Sequence, residues 1–408
     1  MSDVIYMHTN AGIERAARLP TVVRLAFMAL RRTRKGRIQI ILPDGETYVF
    51  DHGIEGPVAE IRVKDLSMVR RVLASGDIGF AEAYMDDQFS TPDLTAVLEF
   101  FAVNFEAAGK LGRGSPIRNA VAWVVNAVTR RNTRNGSRQN IHAHYDLGNA
   151  FYEKWLDPSM TYSSAIYAGD TDIEKAQERK YSAVAENIGT RPGHHILEIG
   201  SGWGGFASHV ARTYGANVRT ITISEEQYKY ASERMFREGL NEKVKVDLID
   251  YRDVDGEYDG VASIEMFEAV GEAYWPSYFS KISSSLSPGA RAALQIITID
   301  DALFASYRKR VDFIQKYIFP GGMLPSREAL SSQFEKAGLK FEKADMFGQS
   351  YATTLRHWAD EFRAAWPEIK PLGFDRQFRN LWEYYLCYCE AGFKTGRTDV
   401  GQFVVSKP

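Results

Sequence analysis

The N-terminal quarter of the chain alternates apolar and polar positions in short runs. The segments "RIQIILPDG", "ETYVFDHG" and "PVAEIRV" have the two-residue period of β-strands, and Asp44-Gly45 between the first two is a turn signal. Helical spacing predicts a helix over residues 11–32 and further helices near residues 67–75 and 92–107. The pattern predicts a small α+β domain over residues 1–110.

From about residue 140 the pattern changes to buried strands that alternate with helices. Such alternation predicts a doubly wound, mostly parallel sheet. Ser224 stands where it would cap the second helix of this region. The predicted strands are "HHILEIG", "ANVRTITIS", "KVKVDLIDY", "YDGVASIEMF" and "ARAALQIITI", and the predicted helices are "GGFASHVARTYG", "EEQYKYASERMFREG" and "YWPSYFSKISSSL".

Beyond Asp300 the regular alternation ends and aromatic-rich helical segments follow. They are "SYRKRVDFIQKYIF", "LRHWADEFRAAW" and "QFRNLWEYYLCYCEAGF", and a closing strand, "GQFVVS", comes after them. The predicted fold class is therefore α/β. A doubly wound core over residues 141–408 carries extra C-terminal helices and is preceded by the small N-terminal domain.

Composition and charge exclude several classes of protein. With 408 residues and a formal net charge of -2, the chain does not have the charge of a nucleic-acid binder. Its two cysteines, Cys387 and Cys389, allow neither a disulfide framework nor a zinc spacing, and they suit the cytoplasm. The N-terminus has no apolar signal region, and no apolar run approaches the roughly 18 residues of a membrane-spanning helix.

One basic segment, residues 111–140, stands out against this neutral background. It contains six arginines and no acid, interleaved with "IRNAVAWVVNAV". The segment fits a linker that lies on an anionic membrane surface, and a solvated linker is the alternative. His142 and His144 follow it without further ligands at metal spacing, so we expect no metal.

A glycine-rich stretch, "LEIGSGWGGFA", joins the first core strand to its helix. Gly200, Gly202 and Gly205 satisfy the dinucleotide pattern G-x-G-x-x-G. An NAD site, however, needs an acid at the end of the second strand, which here ends "TITIS". Glu198, two residues before the first glycine, gives an arrangement typical of S-adenosylmethionine (SAM) sites. We therefore favour SAM, and an NAD-linked oxidoreductase is the alternative.

A series of longer motifs follows the order found in one enzyme family. The motifs are "HYDLGNAFYEKWLDPSMTYSSAIY", "ILEIGSGWGG", "TISEEQ", "DYRD", "MFEAVG", "QKYIFPGGMLPS", "YATTL" and "AAWPEI". Over residues 140–406 the chain resembles the cyclopropane-fatty-acyl-phospholipid synthases, and its N-terminal domain resembles that of the longer bacterial members. The resemblance implies a Rossmann-like class I methyltransferase core, SAM as methyl donor and an unsaturated acyl chain of a membrane phospholipid as substrate. It also implies a homodimer, cytoplasmic and peripheral on the inner face of the membrane.

The family's cofactor contacts carry over by position. They comprise the "YS" pair, the glycine loop, the "TISEEQ" segment and the "DYRD" segment. Together with the acid before the loop, the predicted SAM contacts are Tyr162, Ser163, Glu198, Gly200, Gly202, Gly204, Thr222, Gln227, Tyr251 and Arg252.

In the family, a bound bicarbonate usually accepts the proton that the alkylated chain loses. Ser164 replaces the family's cysteine at this site and Gln295 replaces its histidine; Ala269 stands where a further histidine is common. Serine and glutamine donate hydrogen bonds to an anion but carry no positive charge, so the predicted bicarbonate site is weakened. The positions that correspond to the family's site are Ser164, Glu268, Gln295, the backbone of Ile297, and Tyr351.

A weakened anion site makes Glu268 a candidate proton acceptor, because burial raises the pKa of a carboxyl group and with it the basicity. We predict that Glu268→Gln abolishes turnover and spares SAM binding. Loss of a proton from the chain gives a methyl-branched unsaturated product, of the kind that leads to 10-methyl or furan fatty acids. Loss from the added methyl gives a cyclopropane. We hypothesise the branched product; cyclopropane is the alternative, and a non-catalytic lipid-binding protein is a third interpretation.

Aromatic residues also fit the chemistry, because an aromatic face stabilises a desolvated cation by about 2 kcal/mol. The candidates, for which core packing is the alternative, are Tyr317, Phe319, Tyr351, Trp358 and Tyr385. Cys389 matches a cysteine that descriptions of the family sometimes give as the active-site residue. No histidine lies nearby in the sequence to activate it, so packing in an apolar core fits this cysteine better.

Overall fold

The structure, a computed structural model, describes residues 4–108 and 147–408. The basic segment at 111–140, with His142 and His144, lies outside the described residues. The predicted domain boundaries at 110 and 140 lie there too. The five-stranded sheet of the N-terminal part and the seven-stranded sheet of the remainder are separate.

The N-terminal sheet has the strand order β1-β3-β2-β4-β5. The middle pair, β2 and β3, is antiparallel, as the Asp44-Gly45 turn predicts, whereas β1 runs parallel to β3 and β4 parallel to β2. The strands are β1 Val4–Tyr6, β2 Arg37–Ile41, β3 Thr47–Asp51, β4 Val58–Val63 and β5 Phe89–Ser90.

Helices cover this sheet, and they differ from the predicted ones at three points. The helix predicted near 92–107 is two helices, Leu94–Val103 and Phe105–Ala108. The single helix predicted over 11–32 is two helices, with Pro20 between them, because proline lacks the N–H that a continuous helix needs. The helix near 67–75 continues to Met85 across a kink at Gly76, whose φ is 62°. The helices are α1 Asn10–Ala16, α2 Thr21–Leu30, α3 Ser67–Met85, α4 Leu94–Val103 and α5 Phe105–Ala108.

The larger sheet has the order β11-β12-β10-β9-β6-β7-β8. Strands β6 to β10 pair in parallel, and β12 is antiparallel to both of its neighbours. The predicted doubly wound, mostly parallel sheet is therefore confirmed. Its strands are β6 His195–Ile199, β7 Asn217–Thr222, β8 Val244–Leu248, β9 Tyr258–Ile264, β10 Leu286–Ile299, β11 Lys340–Met346 and β12 Thr398–Ser406.

The helices around this sheet match the prediction less evenly. The Ser224 side chain accepts a hydrogen bond from the Gln227 N–H, which confirms the predicted cap. The helix predicted for "SYRKRVDFIQKYIF" is wrong: one helix ends at Tyr307, and a single π-helical turn, Ile314–Ile318, follows. The helices are α6 Asn149–Tyr152, α7 Ile173–Asn187, α8 Gly205–Thr213, α9 Glu225–Arg237, α10 Trp275–Ser285, α11 Asp301–Tyr307, α12 Arg327–Lys336, α13 Gly348–Ile369 and α14 Arg376–Lys394.

One hydrophobic core joins the N-terminal part to the C-terminal helices. Phe80 of α3 lies 6.5 Å from the ring of Tyr384 in α14, centroid to centroid. The buried Thr95 hydroxyl donates a hydrogen bond of 2.8 Å to Glu390 of the same helix. Residues from the two ends of the chain thus pack together in one hydrophobic core. None of the described helices is long and apolar enough to cross a membrane.

Candidate active site

The site follows from the order of the strands. From β6 the chain proceeds outward through β7 to β8 and then returns to β9, on the other side of β6. Ligands of open α/β sheets bind at the carboxyl ends of the strands where such a reversal occurs. The glycine loop follows β6 and the stretch "EMFE" follows β9, so both lie at this point.

A cavity of about 570 Å³ extends from this point, within the range of about 300–1,000 Å³ typical of ligand pockets. Its lining includes both polar and apolar groups. The glycine loop and the acids after β9 line one part of it. Apolar residues of the N-terminal part line another, among them Val23, Phe27, Leu42, Val63, Phe80 and Phe101.

The glycine loop has a backbone that only glycine adopts without strain. The φ angles of Gly200, Gly202 and Gly204 are 98°, 47° and 84°. A Cβ added to Gly204 would also lie 2.9 Å from the side chain of Met235. The loop leads into α8 and presents its main chain, with Gly200 and Gly202 lining the cavity.

Glu198, at the end of β6, tests whether the loop fits SAM. Its side chain is buried and lines the cavity, and its Oε2 atom has no hydrogen-bond partner among the described residues. Burial raises the pKa of this carboxyl to about 8. A buried acceptor without a partner is costly unless a ligand supplies a donor. The amino group of SAM is such a donor, so the residues present fit this cofactor.

The predicted contacts for the ribose and adenine line the same cavity. The Thr222 hydroxyl donates to the Gln227 side chain at 2.9 Å. Asp250 accepts two hydrogen bonds from the Arg252 guanidinium, at 2.8 and 2.6 Å, and the guanidinium lies 5.4 Å from the centroid of the Tyr251 ring. These side chains are therefore fixed by the protein itself.

The "YS" pair is anchored in the interior. The Tyr162 hydroxyl lies 2.8 Å from the Tyr385 hydroxyl, and the Ser163 hydroxyl accepts a hydrogen bond of 2.7 Å from Lys180. Lys180 is fully buried, and this desolvation lowers its pKa to about 7. The charge of Glu265 opposes that shift and is the largest of the carboxylate contributions.

Glu265, the residue directly after β9, accepts hydrogen bonds from three donors. The Ser164 N–H and the Gln295 side-chain NH₂ both donate to Oε1 at 2.8 Å, and the Tyr351 hydroxyl donates to Oε2 at 2.6 Å. Burial raises the pKa of Glu265, and the three hydrogen bonds oppose that shift. The φ of Glu265 is 49°, in the left-handed region.

A chain of side-chain amides fixes the orientation of Gln295. The NH₂ group of Asn187 donates to the Gln402 oxygen at 3.0 Å, and the NH₂ group of Gln402 donates to the Gln295 oxygen at 3.3 Å. With its oxygen engaged in this way, Gln295 turns its own NH₂ toward Glu265. The relay of Asn187, Gln402 and Gln295 thus ends on a carboxylate.

Glu268 accepts a hydrogen bond from a different donor. The Ile297 N–H donates to its Oε1 at 2.6 Å, and its Oε2 has no partner among the described residues. Burial and, second, the negative charge of Glu265 raise the pKa of Glu268 to about 8. Both carboxyl groups line the cavity.

The structure brings the predicted proton-acceptor residues together, but the contacts differ from the expected ones. Ser164 contributes its main-chain N–H, whereas its hydroxyl donates to the Ala165 carbonyl. Gln295 and Tyr351 donate to Glu265, where we expected them to hold bicarbonate. The side chain of Glu265 therefore occupies two of the donors predicted for a separate anion, and Glu268 occupies a third, the Ile297 N–H.

Three of the five aromatic candidates line the cavity: Phe319, Tyr351 and Tyr385. The other two have structural contacts instead. Tyr317 donates a hydrogen bond of 2.7 Å to Glu82, and Trp358 is fully buried with its ring 5.3 Å from that of Tyr162. The core-packing alternative is the better description of these two.

Cys389 lines the cavity, and burial raises the pKa of its thiol far above the usual range. The group is therefore a neutral thiol at physiological pH, which is a poor nucleophile. This supports the interpretation of Cys389 as a packing residue.

Sequence reasoning missed four residues that organise the site: Glu265, Lys180, Asp250 and Gln402. Two of them had a usable signal, and one of these, Asp250, is the first residue of the "DYRD" motif. Glu265 is an acid near the end of the predicted strand "YDGVASIEMF", and the ligand sites of parallel sheets lie at the carboxyl ends of strands. Lys180 is surrounded in the sequence by other charged residues, which hid its burial.

Comparison with known proteins identifies the family of this chain. Residues 132–403 match the family described as mycolic acid cyclopropane synthetase. The chain is 35% identical to "Tuberculostearic acid methyltransferase UfaA1" of Mycobacterium tuberculosis, over 97% of this chain and 94% of that protein. It is 34% identical to the cyclopropane-fatty-acyl-phospholipid synthase of Escherichia coli, over 86% of this chain and 88% of that protein.

A solved structure of a mycolic acid cyclopropane synthase also resembles this chain. Mycolic acid cyclopropane synthase CmaA1, complexed with S-adenosylhomocysteine (SAH) and CTAB, superposes with a TM-score of 0.63 at 28% identity, over 66% of this chain and 98% of that one. The Rossmann-like class I methyltransferase fold is thereby confirmed, and SAM rather than NAD is the cofactor. The chain belongs to the mycolic acid cyclopropane synthetase family and is a SAM-dependent methyltransferase.

Proposed function

We propose that this enzyme transfers the methyl group of SAM to a double bond in an acyl chain of a membrane phospholipid and closes a cyclopropane ring. The observation that carries the proposal is the cavity, which connects the cofactor-side residues to an extended apolar lining. The family description and the name of the Escherichia coli relative, which specifies a fatty-acyl phospholipid, support this substrate and product.

The apolar lining provides the affinity for an acyl chain. Each methylene buried there contributes about 0.8 kcal/mol. Because α2, α3 and the N-terminal strands supply much of this lining, the proposed role of the region 1–110 is to hold lipid beside the catalytic core. We propose that this part is a lipid- and membrane-associated domain.

Within the cavity, the chain's own residues position the reactants and protect the charge that forms. The glycine loop, Glu198, and the Thr222 and Arg252 regions would hold SAM, which supplies an electrophilic methyl group. Attack by the alkene leaves a carbocation on the acyl chain. The rings of Phe319, Tyr351 and Tyr385 stabilise this cation, and the apolar walls exclude the water that would quench it.

A methyl-branched product is the second candidate. It differs only in which carbon loses the proton. The relative that aligns over 97% of this chain is named for tuberculostearic acid, not for a cyclopropane. The replacement of the family's cysteine and histidine by Ser164 and Gln295 also separates this site from the usual one.

The enzyme's surroundings are part of the proposal. We place it as a homodimer on the cytoplasmic, inner face of the membrane, attached to anionic lipid. Two apolar side chains of α2 are exposed, Leu25 at 46% and Met28 at 54%, and Arg24 and Arg31 are exposed close to them in sequence. Exposed apolar residues flanked by cations favour binding to an anionic bilayer.

The test uses purified protein, SAM that carries three deuterium atoms on its methyl group, and vesicles of dioleoyl phosphatidylglycerol. Mass spectrometry of the acyl esters then separates the products. A cyclopropane has lost one of the label atoms, whereas a methyl-branched chain that lost a chain proton keeps all three. Vesicles of a saturated phospholipid are the control. Absence of label from every unsaturated lipid supplied would refute the function.

A further inference from the structure

We propose that the carboxylate of Glu265 is the base that takes the proton from the alkylated acyl chain, so that the enzyme turns over without bicarbonate. The proposal rests on the proposed function, since it concerns the step that ends that reaction. It assigns to Glu265 the task that sequence analysis gave to Glu268.

The first support is the set of donors around Glu265. Three groups from separate elements converge on its two oxygens: the Ser164 N–H, the Gln295 NH₂ and the Tyr351 hydroxyl. Hydrogen bonds to a charged acceptor are stronger than those to a neutral one, so this set favours the ionised carboxylate. All three donors are engaged by Glu265, and a separate anion would have to displace it.

The second support is the amide relay behind Gln295. Asn187 and Gln402 have no contact with the carboxylate, but their hydrogen bonds fix which end of Gln295 faces it. A glutamine free to rotate could present its oxygen and repel the anion. The relay removes that option, which is what a site for a permanent negative charge needs.

The third support is the distribution of charge between the two acids. Glu268 accepts one hydrogen bond and has one oxygen without a partner, whereas Glu265 accepts three. Two neighbouring carboxyl groups in a cavity do not both ionise readily, and the one with fewer donors keeps the proton. Glu265 is thus the ionised member, and the charge of the buried Lys180 opposes the rise of its pKa.

The backbone gives a fourth indication. Glu265 has a φ of 49°, a backbone conformation that residues other than glycine rarely adopt. Residues held in such conformations occur preferentially at functional sites, where the surrounding contacts maintain them. Here the three hydrogen bonds to the side chain supply that restraint.

In the cation that follows methyl addition, a C–H bond of the added methyl breaks. Its electron pair forms the third bond of the ring to the cationic carbon, and the proton moves to an oxygen of Glu265. For the branched product, the broken C–H bond belongs to the neighbouring chain carbon, and the electron pair forms a double bond. The neutral carboxyl returns its proton to solvent after product release.

The experiment compares three glutamates of one stretch in carbon-dioxide-free buffer, with dioleoyl phosphatidylglycerol vesicles and labelled SAM. We expect Glu265→Gln to lower turnover by at least about 100-fold, as expected for loss of a general base. We expect Glu268→Gln to lose less turnover than Glu265→Gln. The control is Glu272→Gln, which keeps wild-type turnover because the Glu272 side chain pairs with Arg308 outside the cavity. SAH titration and thermal unfolding verify that each variant is folded and binds cofactor.

Glu265→Gly provides the second arm. Glycine suits the backbone at this position and leaves the three donors without a partner. We expect its low turnover to rise at least about tenfold with added formate or bicarbonate, while neither anion changes the wild-type rate. The proposal is overturned by a wild-type enzyme that requires bicarbonate, or by Glu265→Gln activity within about fivefold of wild type. A wild-type enzyme that methylates no lipid refutes the proposed function itself, and this step with it.

Discussion

Glu268→Gln should make the protein more stable at neutral pH, although it removes a group from the active site. Glu268 has a pKa of about 8 in the folded protein, whereas an unperturbed glutamate has a pKa of 4.5. Between these values the unfolded chain has lost the proton and the folded chain has kept it. The free energy of unfolding of the wild type therefore decreases as pH rises from about 4.5 to about 8.

The magnitude follows from the same shift. At pH 7 the difference between the pKa of Glu268 in the folded and unfolded states lowers the free energy of unfolding by about 3 kcal/mol. Glutamine keeps the acceptor for the Ile297 N–H, but its NH₂ group replaces an oxygen that has no partner, which costs about 1 kcal/mol. We expect the variant to be about 2 kcal/mol more stable than wild type at pH 7 and no more stable at pH 5.

Urea unfolding of both proteins between pH 5 and pH 8.5, followed by circular dichroism, measures this difference. Glu272→Gln is the matched control, because its side chain pairs with Arg308 away from the cavity. A difference between Glu268→Gln and wild type that stays constant across the pH range would contradict the reasoning. It would mean that Glu268 is not the protonated member of the pair.

Three further predictions concern other parts of the molecule. Gly204→Ala should weaken SAH binding by about tenfold in a calorimetric titration, since its left-handed φ disfavours any side chain; unchanged affinity would contradict the role of the loop. Cys389→Ser should keep turnover within about threefold, because a thiol that stays neutral is no nucleophile; loss of turnover with intact SAH binding would refute this. Leu25→Asp with Met28→Asp should reduce co-sedimentation with anionic vesicles, whereas Phe236→Asp, at a site 77% exposed on α9, should not; equal effects would exclude α2 as the membrane contact.

The larger sheet was predictable because its signal is local and repeated. Each buried run is followed by an amphipathic helix, and that alternation specifies a parallel sheet. The break at Pro20 was also visible in the sequence, and the predicted helix over 11–32 ignored it. The π-helical turn at Ile314–Ile318 had no such signal, since Gln315 is held there by hydrogen bonds to Asp312 and Gly322 that only the folded chain supplies.

Several members of the site were predictable, but their contacts were not. Sequence motifs identified Ser164, Gln295 and Tyr351, but not that they would converge on Glu265. The reason is that the deciding partners lie far apart, as with Gln402, which contacts Gln295 across 107 positions of sequence. Lys180 illustrates the same limit: its helix has the charge pattern of a solvated face, yet the lysine is fully buried.

With Glu265 as the proposed base, its left-handed backbone places two modes of proton removal one mutation apart. Glycine is the residue that this conformation favours, and a GGA or GGG codon becomes a glutamate codon by one nucleotide change. An ancestor with glycine here would have had room for a dissolved anion in the same donor set. A single mutation would attach the carboxylate to the chain and free lipid methylation from the cell's supply of dissolved carbon dioxide.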